Sequence, residues 1–370
     1  MLLAGGPTAP GAVSECGVAT GDRGEDCRAV AVSSDRIRRY AGTPREIGQA
    51  AGLALGRRLE TTIARYVRER PQRPGALDFD ALRRGALPWL RTLPTRFQEE
   101  LEGLADGADL PVQRVAEWSY LDSCVDDGCS GFVGRLNGRA WVARNNDMFV
   151  PGIWGYATIR DVTGRIPTLC FGLEGDVFTA TGINRDRLWL HHQALPTLDR
   201  PRPGRPHLPG WVLLTDMLET CSTIGEVETR LDEVDRDEGM ILFAVDGKSD
   251  EFAILECTSS GHARRAESAP WLVATNHASA AVPSVGDENS RSRHERMEVM
   301  AVELYEREPP ARLPGDLVAM LADDGVERRG RDMATTYAAV ACPGSGELWF
   351  TLGGYPAASR GAWDRVAWPW

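Results

Sequence analysis

Lysine is almost missing from this chain: among 42 Lys and Arg residues, Lys248 is the single lysine. That bias reflects a GC-rich genome and says little about function. An excess of positive charge is missing as well. With 53 Asp and Glu the formal net charge is −11, which argues against nucleic acid as a partner, because an acidic surface repels phosphates. No apolar run approaches the roughly 18 residues of a membrane span, so no membrane association is expected. The N-terminus lacks the basic segment and clean apolar stretch of a signal peptide, and residues 1–13, rich in Gly, Pro and Ala, read as a tail. A Cys-x-x-Cys pair is also missing. The cysteines, Cys16, Cys27, Cys124, Cys129, Cys170, Cys221, Cys257 and Cys342, are scattered. That spacing suggests neither a zinc site nor a disulfide framework. It fits buried apolar thiols in a reducing, cytoplasmic setting.

What is present is a change of pattern along the chain. Residues 1–40 show no clear periodicity, with one strand expected near 28–32. Thr43-Pro44-Arg45-Glu46 is a capping box with proline in the first helical turn. It predicts a helix running to about residue 68, ended by the prolines of 71–74. Further helices are predicted near 78–93, 94–108 and 111–123. After Cys129 the pattern turns to strands, then to helices near 211–221 and 224–234, where Thr223-x-x-Glu226 is a second capping box. A strand ends at Asn276-His277, helices follow near 292–307 and 315–322, and a hairpin closes the chain near 337–352. Residues 196–209 form a polar, Pro-rich loop that reads as a lid or an insertion. No internal repeat is visible. Helices, then hairpins, then helices, then a hairpin suit an α+β fold of antiparallel sheets covered by helices.

The chain is organised around Asp126-Asp127-Gly128-Cys129-Ser130-Gly131 and the run that ends at Arg144-Asn145-Asn146-Asp147. Asn137-Gly138 lies between two apolar or mixed runs, the strongest short signal for a hairpin, because a type I′ turn needs φ > 0 twice. The second strand of that hairpin returns toward Cys129. A thiol, a guanidinium (Arg144) and a carboxylate (Asp147) are therefore expected at one end of a sheet. Gly128 lets the backbone bend and approach closely at Cys129.

Gly-Cys, a hairpin and Arg-Asn-x-Asp resemble the start of the mature chain in N-terminal-nucleophile (Ntn) hydrolases. Two branches fit: the acyl-coenzyme A:6-aminopenicillanate acyltransferases (peptidase family C45), and the choloylglycine hydrolases with penicillin V acylases. The resemblance covers roughly residues 40–356 and rests on several motifs in order. It implies a four-layer αββα sandwich (129–370), preceded by an irregular tail (1–40) and a helical pro-segment (41–128) that stays bound as a small subunit after self-cleavage at Gly128–Cys129. Cys129 would attack the Gly128 carbonyl, and water would then free a new α-amine on Cys129. That amine serves as the base, so no histidine is needed.

The resemblance also implies roles for partners. Asp147 would accept a hydrogen bond from the Cys129 amine. Arg144, where the acyltransferase branch often has Gln, would hold Asp147 or stabilise the thiolate. Asn276, in Ala274-Thr275-Asn276-His277, would donate to the oxyanion. Arg293, in Asn289-Ser290-Arg291-Ser292-Arg293, is the candidate second arginine, with Arg296 as runner-up. Gln193 and His192 depart from the family pattern and are expected to bear on substrate binding. The pair His191-His192 does not suggest metal, since adjacent strand residues face opposite ways. The expected activity is cleavage or transfer of an acyl group at a non-peptide amide through a Cys129 thioester. No cofactor is expected; coenzyme A, if used, would be a substrate. Two alternatives stand beside it: a Cys129–His277 peptidase without self-cleavage, and a non-catalytic binding relative.

Overall fold

The computed structural model describes residues 34–69, 79–122, 128–149, 151–266, 269–278, 287–330 and 333–370. The strand expected at 28–32 and the prolines of 71–74 lie outside them. The described chain opens with β1 (Ile37–Gly42) and five helices: α1 (Pro44–Leu55), α2 (Arg57–Glu69), α3 (Phe79–Thr92), α4 (Thr95–Ala108) and α5 (Val112–Asp122). The hairpin β2 (Gly128–Leu136) and β3 (Arg139–Met148) follows, then the meander β4 (Trp154–Val162), β5 (Thr168–Leu173), β6 (Thr181–Asn184) and β7 (Leu188–Ala194). Next come β8 (His207–Leu208), α6 (Gly210–Thr220), α7 (Ile224–Glu233), β9 (Asp235–Arg236), β10 (Met240–Asp246), β11 (Glu251–Cys257), β12 (His262–Arg264) and β13 (Trp271–Ala274). The chain closes with α8 (Glu288–Glu306), α9 (Gly315–Leu321), β14 (Ala334–Cys342), β15 (Glu347–Thr351), α10 (Ala357–Arg360) and β16 (Trp363–Val366).

These strands form two main sheets. The 8-stranded sheet runs β1-β4-β5-β6-β7-β10-β11-β12, and the 6-stranded sheet runs β13-β2-β3-β14-β15-β16. Every ladder in them is antiparallel except β1 on β4. The sheets pack face to face: Phe171 meets Phe350 at 4.3 Å between ring centroids, and the Thr181 and Tyr337 hydroxyls bond at 2.8 Å. Helices α6 and α7 cover the outer face of the larger sheet, and α8, α9 and α10 cover that of the smaller. This is the four-layer αββα arrangement expected. Each sheet can bury both faces because its strands are apolar on both sides. No helix among the described residues is long and apolar enough to cross a membrane.

Local signals explain much of this. Asn137 and Gly138 have φ of 50° and 80°, as a two-residue hairpin turn requires. Both capping boxes form, Thr43 with Glu46 and Thr223 with Glu226. The helix predicted to run unbroken to 68 instead divides at Gly56, whose φ of 51° ends α1. β1 corrects a second expectation: the boundary between tail and pro-segment, drawn at residue 40, cuts through a strand that pairs Ile37 with Ala157 and Gly42 with Val162.

The N-terminal helices lie against this framework with unusually close contacts. A Cβ on Gly48 would stand 2.0 Å from the Glu100 carbonyl oxygen, and one on Gly107 would stand 2.2 Å from that of Gln49. Helices α1 and α4 thus meet backbone to backbone. Buried ion pairs continue the contact. Arg96 of α4 grips Glu219 of α6 through two nitrogens and also bonds Glu100, while Arg160 of β4 reaches Glu100 at 3.2 Å.

Candidate active site

Cys129 is buried in β2, opposite Asn146 of β3, and Gly131 is opposite Arg144. Side chains alternate along a strand, so Arg144 and Asn146 share the Cys129 face, which looks toward the larger sheet. Arg144 Nη2 lies 3.3 Å from Cys129 Sγ and 2.6 Å from Asn146 Oδ1, and its Nη1 donates to the Ala180 carbonyl. A buried guanidinium this close stabilises negative charge developing on sulfur. Of the two neighbours expected for Arg144, the thiol and Asp147, the structure places it beside the thiol.

Asn145 and Asp147 point the other way, toward the helices. Asn145 Nδ2 donates to the Leu321 carbonyl at 2.8 Å. Asp147 Oδ1 accepts from Thr335 Oγ1 at 2.7 Å, and its Oδ2 is 3.9 Å from Arg293 Nη1. Thiol and guanidinium therefore share one face while the carboxylate takes the opposite one. All three stand at one end of the sheet, and the strand's period of two divides them between its faces.

The Cys129 backbone is held from the edge of the sheet. β13 pairs Ala274 with Gly131 and then stops. Two residues further along each strand, Asn276 Oδ1 accepts the Cys129 N–H at 2.8 Å, where a ladder carbonyl would otherwise stand. In the uncut chain the Cys129 amide N–H is thus held by Asn276, whereas the bond expected at Asp147 concerns the free amine that cleavage would create. The Asn276 Nδ2 group, expected to serve an oxyanion, donates to the Ala194 carbonyl at 3.0 Å in the uncut chain. Asn276 is itself anchored: its backbone N–H donates to Ser290 Oγ at 2.8 Å.

Ser290 belongs to the first turn of α8, capped by Asp287. One turn on, Arg293 donates to the Cys129 carbonyl, to Ser130 Oγ at 2.7 Å, to Asn276 Oδ1 at 2.9 Å and to Asn289 Oδ1 at 2.9 Å. Burial pulls its pKa below the ordinary arginine value, with Asp147 acting against the shift. Arg296 turns to the surface and pairs with Asp323 at 2.7 Å. The structure thus brings Arg293 to Cys129 and takes Arg296 away.

The remaining expectations fare differently. Gly128 begins β2, and a Cβ there would stand 2.9 Å from Met333 Sδ and 3.1 Å from Arg328 Nη1. Gln193, with its amide oriented to satisfy its neighbours, accepts from Gly131 N at 3.0 Å and donates to the Thr275 carbonyl at 2.7 Å. It is fully buried, as Cys129 is, and stitches the sheets together. His192 faces α6, with Trp211 at 6.0 Å between centroids and Nε2 3.2 Å from where a Gly210 Cβ would be, on the side away from Gly131. His277 puts Nδ1 against Ser290 Oγ at 2.8 Å and Thr275 Oγ1 at 3.2 Å. Burial, with Arg265 and other cations adding to it, lowers its pKa. No group of His, Cys, Asp or Glu among the described residues is arranged to hold a metal.

The sequence reading missed Asn146, Thr335, Thr336, Ser290 and Asn289. A register shift between Thr335 and Tyr337, opposite Asp147 and Asn146, marks a bulge in β14. Through it Thr335 serves Asp147 while Thr336 Oγ1 donates to the Asn146 carbonyl at 3.1 Å. Nothing local signals a bulge, but strand alternation around Arg144 would have found Asn146.

No known family profile and no curated protein matches the chain. Among solved structures, a conjugated bile acid hydrolase mutant from Clostridium perfringens is 12% identical, covering 64% of this chain and 96% of that one, with a TM-score of 0.45. A Caenorhabditis elegans ortholog of N-acylethanolamine-hydrolyzing acid amidase is 15% identical over 58% of this chain and 93% of that one, with a TM-score of 0.44. Penicillin V acylase from Agrobacterium tumefaciens is 14% identical over 65% and 86%, also at 0.44. Each is a protein this chain is similar to in fold.

Proposed function

We propose that this chain is a self-processing cysteine Ntn hydrolase that cleaves, or transfers the acyl group of, a non-peptide amide. The observation that carries this reading is that all three functional parts of Cys129 are held by side chains. Its sulfur faces Arg144, its nitrogen meets Asn276 and its carbonyl receives Arg293. A structural cysteine in a strand interior leaves its nitrogen and carbonyl to the ladder. Cys129 instead has the setting of a residue whose nitrogen is to become a free amine.

The chemistry runs in two stages. In processing, Cys129 Sγ attacks the Gly128 carbonyl carbon and the C–N bond breaks. The Gly128 acyl group moves to sulfur and Cys129 gains an α-amine. Water then hydrolyses the thioester, releasing a Gly128 carboxylate and the thiol. In turnover, the α-amine, with a pKa of about 8, takes the thiol proton. The thiolate attacks the substrate carbonyl, and the protonated amine side leaves. Water, or an acceptor amine in the transferase version, resolves the thioester. We assign Arg144 to charge on sulfur, Asn276 Nδ2 to the oxyanion, and Arg293 to fixing Asn276 and the Cys129 carbonyl. Asp147 acts through Arg293. Residues 41–128 would remain as the small subunit. β1 extends that subunit back to Ile37, and an acyl-coenzyme A donor is compatible with the scheme.

The test is the N-terminal residue of the purified large fragment. Cysteine at position 129 is expected, with fragments of about 14 kDa (128/370 of 40.4 kDa) and about 26 kDa that co-purify. A fully active protein that runs only as the intact chain would refute the mechanism.

A further inference from the structure

Arg328 is an arginine beside the bond to be cut that the scheme above leaves without a task. A Cβ on Gly128 would stand 3.1 Å from Arg328 Nη1 and 3.5 Å from its Cδ. The side chain therefore lies along the acyl side of the Gly128–Cys129 bond. Its backbone is pinned at both ends of the peptide unit: Arg328 N–H donates to Thr335 Oγ1 at 3.1 Å, and Thr335 N–H donates to the Arg328 carbonyl at 2.9 Å. Thr335 is the residue that also holds Asp147. The guanidinium is pinned too, because Nη1 donates at 2.9 Å to Asn289 Oδ1, the same oxygen that receives Arg293 Nε at 2.9 Å.

Two cations thus share one neutral acceptor, and the positive charge of Arg328 depresses the basicity of Arg293. Acids close by in sequence are engaged elsewhere: Asp323 with Arg296, and Asp324 and Glu327 with Arg329. Among the described residues, Arg328 forms no ion pair. Asp147, 3.9 Å from Arg293, offsets that charge, which leaves Arg328, bonded to a neutral oxygen, as the guanidinium able to take an anion. In sequence, the acyl side of the bond that would break is Asp126-Asp127-Gly128. The first acyl group offered to Cys129 is therefore one followed by carboxylates.

From this we infer that Arg328 is a specificity residue that binds an anionic group on the acyl portion of the substrate, so that the preferred amides are those of short dicarboxylic acids. The inference rests on the proposed amide chemistry at Cys129. A guanidinium recognises a carboxylate through two parallel N–H bonds, and Arg328 keeps Nε and Nη2 for that purpose while Asn289 orients Nη1.

The experiment compares wild type, Arg328→Gln and Arg328→Lys in two assays on the processed enzyme. One measures kcat/KM for glutaryl 4-nitroanilide and pentanoyl 4-nitroanilide, which differ in a terminal carboxylate. The other measures how far glutarate slows iodoacetamide alkylation of Cys129. Wild type is expected to favour the glutaryl compound at least tenfold, mainly through KM. Arg328→Gln should collapse that ratio and abolish protection, and Arg328→Lys should restore part of both. Equal turnover of both anilides by wild type, or a ratio unchanged in Arg328→Gln, overturns the inference and leaves the amidase reading standing. Protection by glutarate that depends on Arg328, with both anilides inert, keeps the anion site and counts against the amidase reading. Absence of both turnover and protection overturns the two together.

Discussion

Two buried clusters of charge can be set side by side in this molecule. One joins the N-terminal helices to the larger sheet: Arg96 with Glu219 and Glu100, and Arg160 with Glu100. The other surrounds Cys129, where Arg144 faces a thiol, a carbonyl and an amide, and Arg293 faces a carbonyl, a hydroxyl and two amides. In the first, each guanidinium is matched by a carboxylate at hydrogen-bond distance. In the second, the bonds described go to a thiol, carbonyls, a hydroxyl and amides, and Asp147 stands 3.9 Å from Arg293. Matched charges hold a structure together, and breaking one side leaves the other uncompensated. A guanidinium held against a thiol or a carbonyl is placed to meet negative charge that a reaction creates there. The same residue type serves opposite ends according to what it faces.

Variants can break this contrast, and the largest effect belongs to the nucleophile. Cys129→Ala is expected to give one full-length chain on a denaturing gel and no measurable turnover, whereas Cys129→Ser cleaves slowly, since a hydroxyl can make the same acyl shift. Asn276→Ala comes next. Its kcat is expected to fall by about 10²–10³, the usual cost of one lost oxyanion donor, with an unchanged circular dichroism spectrum. A loss below about tenfold removes Asn276 from that role.

The structural cluster should respond in the other currency. Glu219→Ala is expected to lower stability by about 3–5 kcal/mol, as for a buried pair deprived of one partner. Urea melts would show this, with kcat per folded molecule unchanged. A large loss of kcat instead would mean that the two clusters are coupled. The thiols offer a kinetic version. Burial pushes Cys221 up to about 11 and Cys257 up to about 12, and it raises Cys170 as well. Limiting iodoacetamide followed by mass mapping should therefore label Cys129 of the mature enzyme before Cys170, Cys221 and Cys257.

The smallest effect is a pH slope. Burial raises Asp176, near Arg160, to about 7. A carboxyl whose folded pKa lies above its unfolded value of about 4 binds more protons when folded. Its contribution is present below about pH 4 and is lost as pH rises toward 7. Asp176→Asn should flatten the stability profile across that window, measured as Tm against pH.

How far the sequence alone could reach follows from the range of each signal. The hairpin turn at Asn137-Gly138 and the capping boxes at Thr43 and Thr223 are written within four residues, and they form as read. Arg293 and Asn276 were named from motifs and stand at Cys129. The break at Gly56 was not legible, because a lone glycine costs a helix only about 1 kcal/mol and tertiary packing decides its fate. β1 was missed because its partner β4 lies far along the chain. Which face each side chain takes was legible in principle from strand alternation. Applied to residues 144–147, it separates Asp147 from the thiol and pairs Arg144 with Asn146.

The parallel pairing of β1 with β4 bears on how such a protein can be made and remade. A chain cut at Gly128 would have part of the large sheet on each fragment. Before the cut, folding is a first-order event in one molecule. After it, recovery from denaturation needs two fragments to find each other, so yield and half-time would depend on concentration, and dilution that helps the precursor refold would defeat the mature form. Maturation would in that sense be a ratchet: the enzyme is assembled once, as a single chain, and its working form carries no efficient route back.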